Sequence, residues 1–85
     1  MKFKSLEPGK LYTITWIDPE EDPRGHPGEA TCKLFSHTYR FHSQKFIPFE
    51  RRKISCLIFT VGEPPEYYHS FCIPESLILK VADAK

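Results

Sequence analysis

Apolar residues recur in this chain with a period of two, and no stretch long enough for an amphipathic helix carries the 3.6-residue period. Residues 11–18 show the alternation most clearly. Tyr12, Ile14, Trp16 and Asp18 fall on one side, with Leu11, Thr13, Thr15 and Ile17 on the other, as side chains of a strand do. The residues are β-branched or aromatic, the types that suit a pleated surface. Helical bundles and α/β folds are thereby excluded, and the chain must build its core from strands.

Turn residues divide the rest. Glu7-Pro8-Gly9-Lys10 is a turn signal ahead of the first strand. Residues 19–29 hold Pro19, Pro23, Pro27, Gly25 and Gly28, a composition that no regular ladder survives, so a long loop is expected. Residues 30–42 read as a second strand region interrupted by Ser36 and His37 and anchored by Cys32, Leu34, Tyr39 and Phe41. Residues 43–53 read as a loop or irregular hairpin tip around Phe46-Ile47-Pro48-Phe49. Residues 54–61 form the strongest strand, 62–66 a turn, and 67–73 the return strand. A hairpin centred on Pro64 pairs Val61 with Tyr67, Phe59 with His69, Leu57 with Phe71 and Cys56 with Cys72. Leu57, Phe59, Val61, Tyr67 and Phe71 then share the core face. Cys56, Ile58, Thr60, Tyr68, Ser70 and Cys72 lie opposite. Pro74-Glu75-Ser76 is expected to make one helical turn before a short last strand over 77–81.

Five short strands, a long loop after the first and one turn of helix before the last describe an all-β, SH3-like five-stranded barrel or strongly bent sheet, in one domain. The stretch Phe71-Cys72-Ile73-Pro74-Glu75-Ser76-Leu77-Ile78 resembles the end of SH3-type barrels, where such residues form a 3₁₀ turn before the final strand. Trp16-Ile17-Asp18 together with Ile73-Pro74-Glu75-Ser76-Leu77-Ile78 also resembles small phage and prophage proteins with W-x-D and I-P-x-S-x-I strands. That resemblance implies a phage or prophage setting and no particular mechanism. The tryptophan pair and A-L-Y-D-Y-type stretch of peptide-binding SH3 domains have no counterpart, since Trp16 is the only tryptophan. A proline-groove ligand site is therefore not carried over.

The formal charge is only +1, so charge-driven binding must come from local patches. Asp18, Glu20, Glu21, Asp22 and Glu29 face Arg24, a local excess of four negatives (5 − 1). Arg40, Lys45, Arg51, Arg52 and Lys53 face Glu50, an excess of four positives (5 − 1) over 37–53. No run of large apolar residues exceeds the three of Leu57-Ile58-Phe59, too short for a membrane span or signal-peptide core. The cysteines Cys32, Cys56 and Cys72 are odd in number and fit free thiols in a reducing, cytoplasmic setting. Without a C-x-x-C pair, no metal or other cofactor is expected. His26, His37, His42 and His69 come without a carboxylate pair, a Ser-His-Asp order or a glycine-rich phosphate loop, so no enzyme is expected.

Two candidate sites remain. Trp16 and Asp18 share one side of a strand, and serve either as an aromatic platform with an acceptor beside it or as a core tryptophan with a strand-end neighbour. Arg40, Lys45, Arg51, Arg52 and Lys53 interleave with Phe46 and Phe49, either folded over the barrel end or exposed as an interface. We expect a small non-catalytic binding protein, a phage-type accessory factor acting by protein–protein contact, including contact with a second copy of itself. The alternatives are a nucleic-acid-binding module using segment 40–53 and a binder of a small anionic, nucleotide-like ligand held by the same residues.

Overall fold

The period-two pattern at the front of the chain becomes strand β1 (Leu11–Pro19), with Tyr12 and Ile14 fully enclosed. A computed structural model describes residues 6–19, 25–63 and 65–84. β2 (Cys32–Phe49), β3 (Arg52–Glu63), β4 (Glu66–Pro74) and β5 (Ile78–Asp83) complete one antiparallel sheet in the order β4-β3-β2-β1-β5. The expected turn before the last strand is a 3₁₀ turn at Glu75–Leu77. A second one, Pro27–Glu29, lies in the connection from β1 to β2. The acidic residues Glu20, Glu21 and Asp22 of that connection lie outside the described residues.

Ile73 on β4 and Ile78 on β5 stand on the two edges of the sheet, yet both join Tyr12, Ile14, Phe41, Leu57 and Phe59 in one buried cluster. Flat strands about 4.8 Å apart would hold those edges about 19 Å from each other. The sheet is therefore strongly bent, with the Glu75–Leu77 turn touching both β1 and β3 across the seam. No ladder joins β4 to β5 among the described residues, so the sheet is open there.

The segment 43–53, expected as a loop or irregular tip, is regular: β2 runs unbroken to Phe49 and turns through Glu50 and Arg51 into β3. Two devices hide this strand in the sequence. A bulge between Phe41 and Ser43 puts an extra residue, His42, into β2. The core-facing positions thus switch from Phe35, His37, Tyr39 and Phe41 to Gln44, Phe46 and Pro48, and the alternation loses its phase. Pro48 stands opposite Lys53, one step from the closing pair Phe49–Arg52. At that position the missing N–H points away from β3, toward an edge that no strand among the described residues occupies.

The β3–β4 hairpin keeps the expected face but not the expected register. Leu57 pairs with Ile73, Phe59 with Phe71 and Val61 with His69, two residues beyond a hairpin centred on Pro64. Cys56 stands opposite Pro74, and Cys72 opposite Ile58. An even shift preserves sidedness, so Leu57 and Phe59 are buried as expected and Ile73 joins them, while Phe71 and Val61 are half-buried. The cause is a bulge between Val61 and Gly62. Gly62 has φ 96°, and a Cβ there would come within 2.8 Å of the Tyr68 ring and 2.9 Å of the Glu66 carbonyl oxygen. Glycine is thus required twice, by conformation and by space. Gly62→Ala is expected to destabilise the chain by about 1–3 kcal/mol, read as an earlier midpoint in urea unfolding. An unchanged midpoint would mean that the bulge is not under this constraint.

Candidate functional site

β1 pairs with β2 only as far as Arg40, and β4 pairs with β3 only from Cys56 onward. Beyond those points β2 and β3 pair only with each other among the described residues, so residues 43–55 form a two-stranded arm projecting from the sheet. The radius of gyration of 14.7 Å exceeds the about 12 Å of a compact chain of this length, as such an arm requires.

The register sorts the arm into two faces. Gln44, Phe46 and Pro48 share one with Lys53 and Ser55; Lys45, Ile47 and Phe49 share the other with Arg52, Ile54 and Cys56. Phe46, Ile47 and Phe49 are 54%, 39% and 49% exposed, which settles that the tip is not folded back over the core. Arg52 lies over the Phe49 ring at 5.6 Å, a cation–π contact that orders both side chains. Lys45, Arg51, Arg52 and Lys53 are all exposed around Glu50. At the root of the arm Gln44 Nε2 donates to Ser55 Oγ (2.8 Å), and Ser55 Oγ donates to the buried Glu75 carboxylate (2.6 Å). That chain ties the arm to the 3₁₀ turn and satisfies a carboxylate that would otherwise be costly to bury.

Of the residues singled out from the sequence, the arm brings together Lys45, Phe46, Phe49, Arg51, Arg52 and Lys53. Arg40 is set apart. It is half-buried opposite Leu11 and Thr60, and its guanidinium donates to the Gly9 carbonyl oxygen, binding the lead-in turn to β2. Trp16 and Asp18 lie at the other end of β2, opposite Phe35 and Lys33. Trp16 is half-buried against the core cluster and stacks on Phe35 at 5.3 Å, so it serves the core as well as the surface. Sequence reasoning missed its neighbours. Phe35, His37 and Tyr39 continue from Trp16 along one face, and Tyr39 meets Phe71 at 5.0 Å. Their signal was the F-x-H-x-Y-x-F alternation of residues 35–41, which the intervening polar residues obscured.

A cleft of about 380 Å³ opens at the root of the arm, lined by Leu6, Pro8, Phe41, His42, Ser43, Gln44 and Leu57. No lysine or arginine lines it, so it has no charge for an anionic ligand. Its imidazole, His42, meets Ser43 Oγ at 2.9 Å with no carboxylate among the lining residues. Among the described residues no group of three histidines, cysteines or carboxylates is placed to hold a metal ion. No helix among them is long and apolar enough to cross a membrane.

All three cysteines are free; Cys32 and Cys72 are exposed and Cys56 is buried. Burial pushes the Cys56 thiol up from its ordinary 9.0, the neighbouring Cys72 pushes it further, and Lys45 pulls it down. The unfolded chain therefore releases this proton first as pH climbs. The associated stability is complete below about pH 9 and is lost above it. Two thiols are expected to react promptly with an aromatic disulfide reagent and the third only on unfolding. Cys56→Ala is expected to flatten the alkaline limb of the stability profile. Equal reactivity of all three, with an unchanged limb, would contradict both.

Comparison of the chain with protein-family profiles, curated proteins and solved structures gives no match.

Proposed function

We propose that the chain is a non-catalytic binding protein that engages a protein partner through the β2–β3 arm. The observation that carries this reading is the exposure of Phe46, Ile47 and Phe49 on a projecting ribbon, ringed by Lys45, Arg51, Arg52 and Lys53. Ile47 and Phe49 share one face of the ribbon with Lys45 and Arg52, an exposed apolar centre with a cationic rim, which is the anatomy of an interaction hot spot. The unpaired outer edge of β2 adds main-chain donors and acceptors that a partner strand can take up. The partner's chemistry follows: an apolar pocket beside carboxylates. The five strands, the long connection after the first and the 3₁₀ turn before the last support reading the bent sheet as an SH3-like barrel. The resemblance to small phage and prophage proteins supports an accessory role against a host or phage protein in the cytoplasm.

Photo-crosslinking tests the reading. A benzophenone side chain at position 46 or 49 is expected to capture one product, whereas the same group at Lys80 on β5 captures none. Excess wild-type chain should compete the product away, and the Phe46→Ala plus Phe49→Ala variant should not. Equal capture from β5, or equal competition by the variant, removes the arm as the site.

A further inference from the structure

β4 is an edge strand of the sheet, and its edge is unguarded. Sheets blunt such edges with prolines, charges or bulges, because a row of open main-chain groups invites another strand. The arm carries Lys45, Pro48 and Lys53, and the other edge strand, β5, carries Lys80 and Asp83. From Tyr67 to Ile73, β4 has no proline, lysine, arginine or carboxylate, the composition that pairs most readily with its own kind. Nothing among the described residues covers it. Tyr68 is 74% exposed, and His69, Ser70 and Cys72 are exposed as well. Alternation fixes which groups are open, since the main chain of β3 turns to β2 and to β4 by turns. Lys53, opposite Pro48, turns away from β2, so Leu57 and Phe59 turn to β4, where they meet Ile73 and Phe71. Ser70 and Cys72 therefore direct their N–H and C=O groups outward. On either side of them the edge closes, because Tyr68 is the extra residue of the bulge and Pro74 has no N–H.

We infer that β4 pairs antiparallel with β4 of a second copy, about a two-fold axis at Phe71. In that register Ser70 stands opposite the second copy's Cys72, and Cys72 opposite its Ser70. Each pair exchanges two main-chain hydrogen bonds, and every outward group of both residues is satisfied. Moving the axis to Ser70 sets Cys72 against the bulge, and moving it to Cys72 sets Ser70 against Pro74. Charge selects a second copy as the occupant. Two-fold pairing brings an edge against itself, so any charge on it meets its own sign. The arm, with a net +3 over 45–53, repels a copy of itself, whereas residues 67–73 of β4 bring no such pair together. Side chains match as well: Phe71 meets its own counterpart on the inner face, and the small Ser70 and Cys72 meet on the outer one. Pairing uses up the unguarded edge of both copies and leaves the charged β5 strands at the margins, so association stops at two. One strand edge per copy is a small interface, which makes the dimer reversible and concentration-dependent. It also carries two arms, without using any residue of either.

Sedimentation equilibrium of the full chain from about 1 μM to about 1 mM is expected to pass from one chain to two and no further. Amide hydrogen exchange reads the register: the N–H groups of Ser70 and Cys72 should slow as concentration rises, and that of Tyr68 should not. Ser70→Lys plus Cys72→Lys sets lysine against lysine across the axis and is expected to stay monomeric over this range. Ser70→Glu plus Cys72→Glu is expected to do the same. An equimolar mixture of the two should restore the dimer, which shows that both variants are folded. Arg51→Glu plus Arg52→Glu, on the arm, should leave the dimer intact, which separates this surface from the arm. A monomer throughout the range, growth beyond two chains, a dimer that survives either double lysine or double glutamate substitution, or a mixture that stays monomeric overturns the inference. So does loss of the dimer in the arm variant alone. Capture of a different protein by a benzophenone side chain at position 70, in a chain that stays monomeric, gives the edge to a foreign strand and overturns it too.

Discussion

Phe59→Ala is expected to leave little folded protein at 37 °C. Phe59 has no exposed surface and sits on β3 between Phe41 on β2 and Phe71 on β4. The Phe41 ring meets it edge-on at 5.7 Å and the Tyr39 ring at 6.4 Å. Removing a buried phenylalanine ring costs about 3–5 kcal/mol, the lost transfer energy plus the cavity. Small domains have about 5–15 kcal/mol in total, and one with a single bent sheet over a small core has little to spare. Phe71→Ala, at a half-buried position on the edge strand, should cost visibly less. The measurement is urea unfolding of both variants followed by Trp16 fluorescence. A cooperative, near-wild-type transition for Phe59→Ala would show that the face of β3 assigned to the core is the wrong one.

The residues that made this prediction possible were largely legible in the sequence. Alternation over 54–61 placed Leu57 and Phe59 on one side, and the structure keeps them there despite a register two residues from the simplest hairpin. The reason is geometric: strand sidedness has a period of two, so a two-residue slip leaves it intact. The true register was not legible, because it is set by the Gly62 bulge, and a glycine beside two prolines reads equally well as an ordinary turn. The strand count and the turn before the last strand lead to the expectation of a five-stranded barrel or a strongly bent sheet. The structure bears out the all-β sheet and that turn, and leaves β4 and β5 unjoined.

The candidate site was legible in composition and not in shape. Basic and aromatic residues over 45–53 stood out, but a bulge at His42 and a proline at 48 disguised two regular strand arms as a loop. Arg40 was grouped with them by sequence proximity. On an extended strand about 3.3 Å per residue separates neighbours, which carries Phe49 far from Arg40 and leaves the latter to hold the Gly9 turn. The aromatic row fails to appear in any local window because its members come from three strands. Only β2 carries an uninterrupted part of it, and there a histidine breaks the hydrophobic pattern.

Charge reversal at the arm tip separates binding from folding most sharply. Arg51→Glu plus Arg52→Glu is expected to abolish partner binding while the melting temperature moves little. Both side chains are exposed, and surface substitutions of this kind stay within about 0.5 kcal/mol each. Among the described residues the ring contact given up is that of Arg52 with Phe49, at most about 1 kcal/mol at an exposed site. Binding suffers on two counts. The local excess over 45–53 goes from +3 (Lys45, Arg51, Arg52 and Lys53 against Glu50) to −1 (2 − 3), so steering toward an acidic partner becomes repulsion. Glutamates beside Phe46 and Phe49 also bring like charges against the partner's carboxylates at closest approach, which costs further affinity. The association rate should fall first and most, with a salt dependence opposite in sign to that of the wild-type chain. A folded double mutant that keeps its full partner binding would make these four cations a solvated surface, and the interface would then have to rest on Phe46, Ile47 and Phe49 alone.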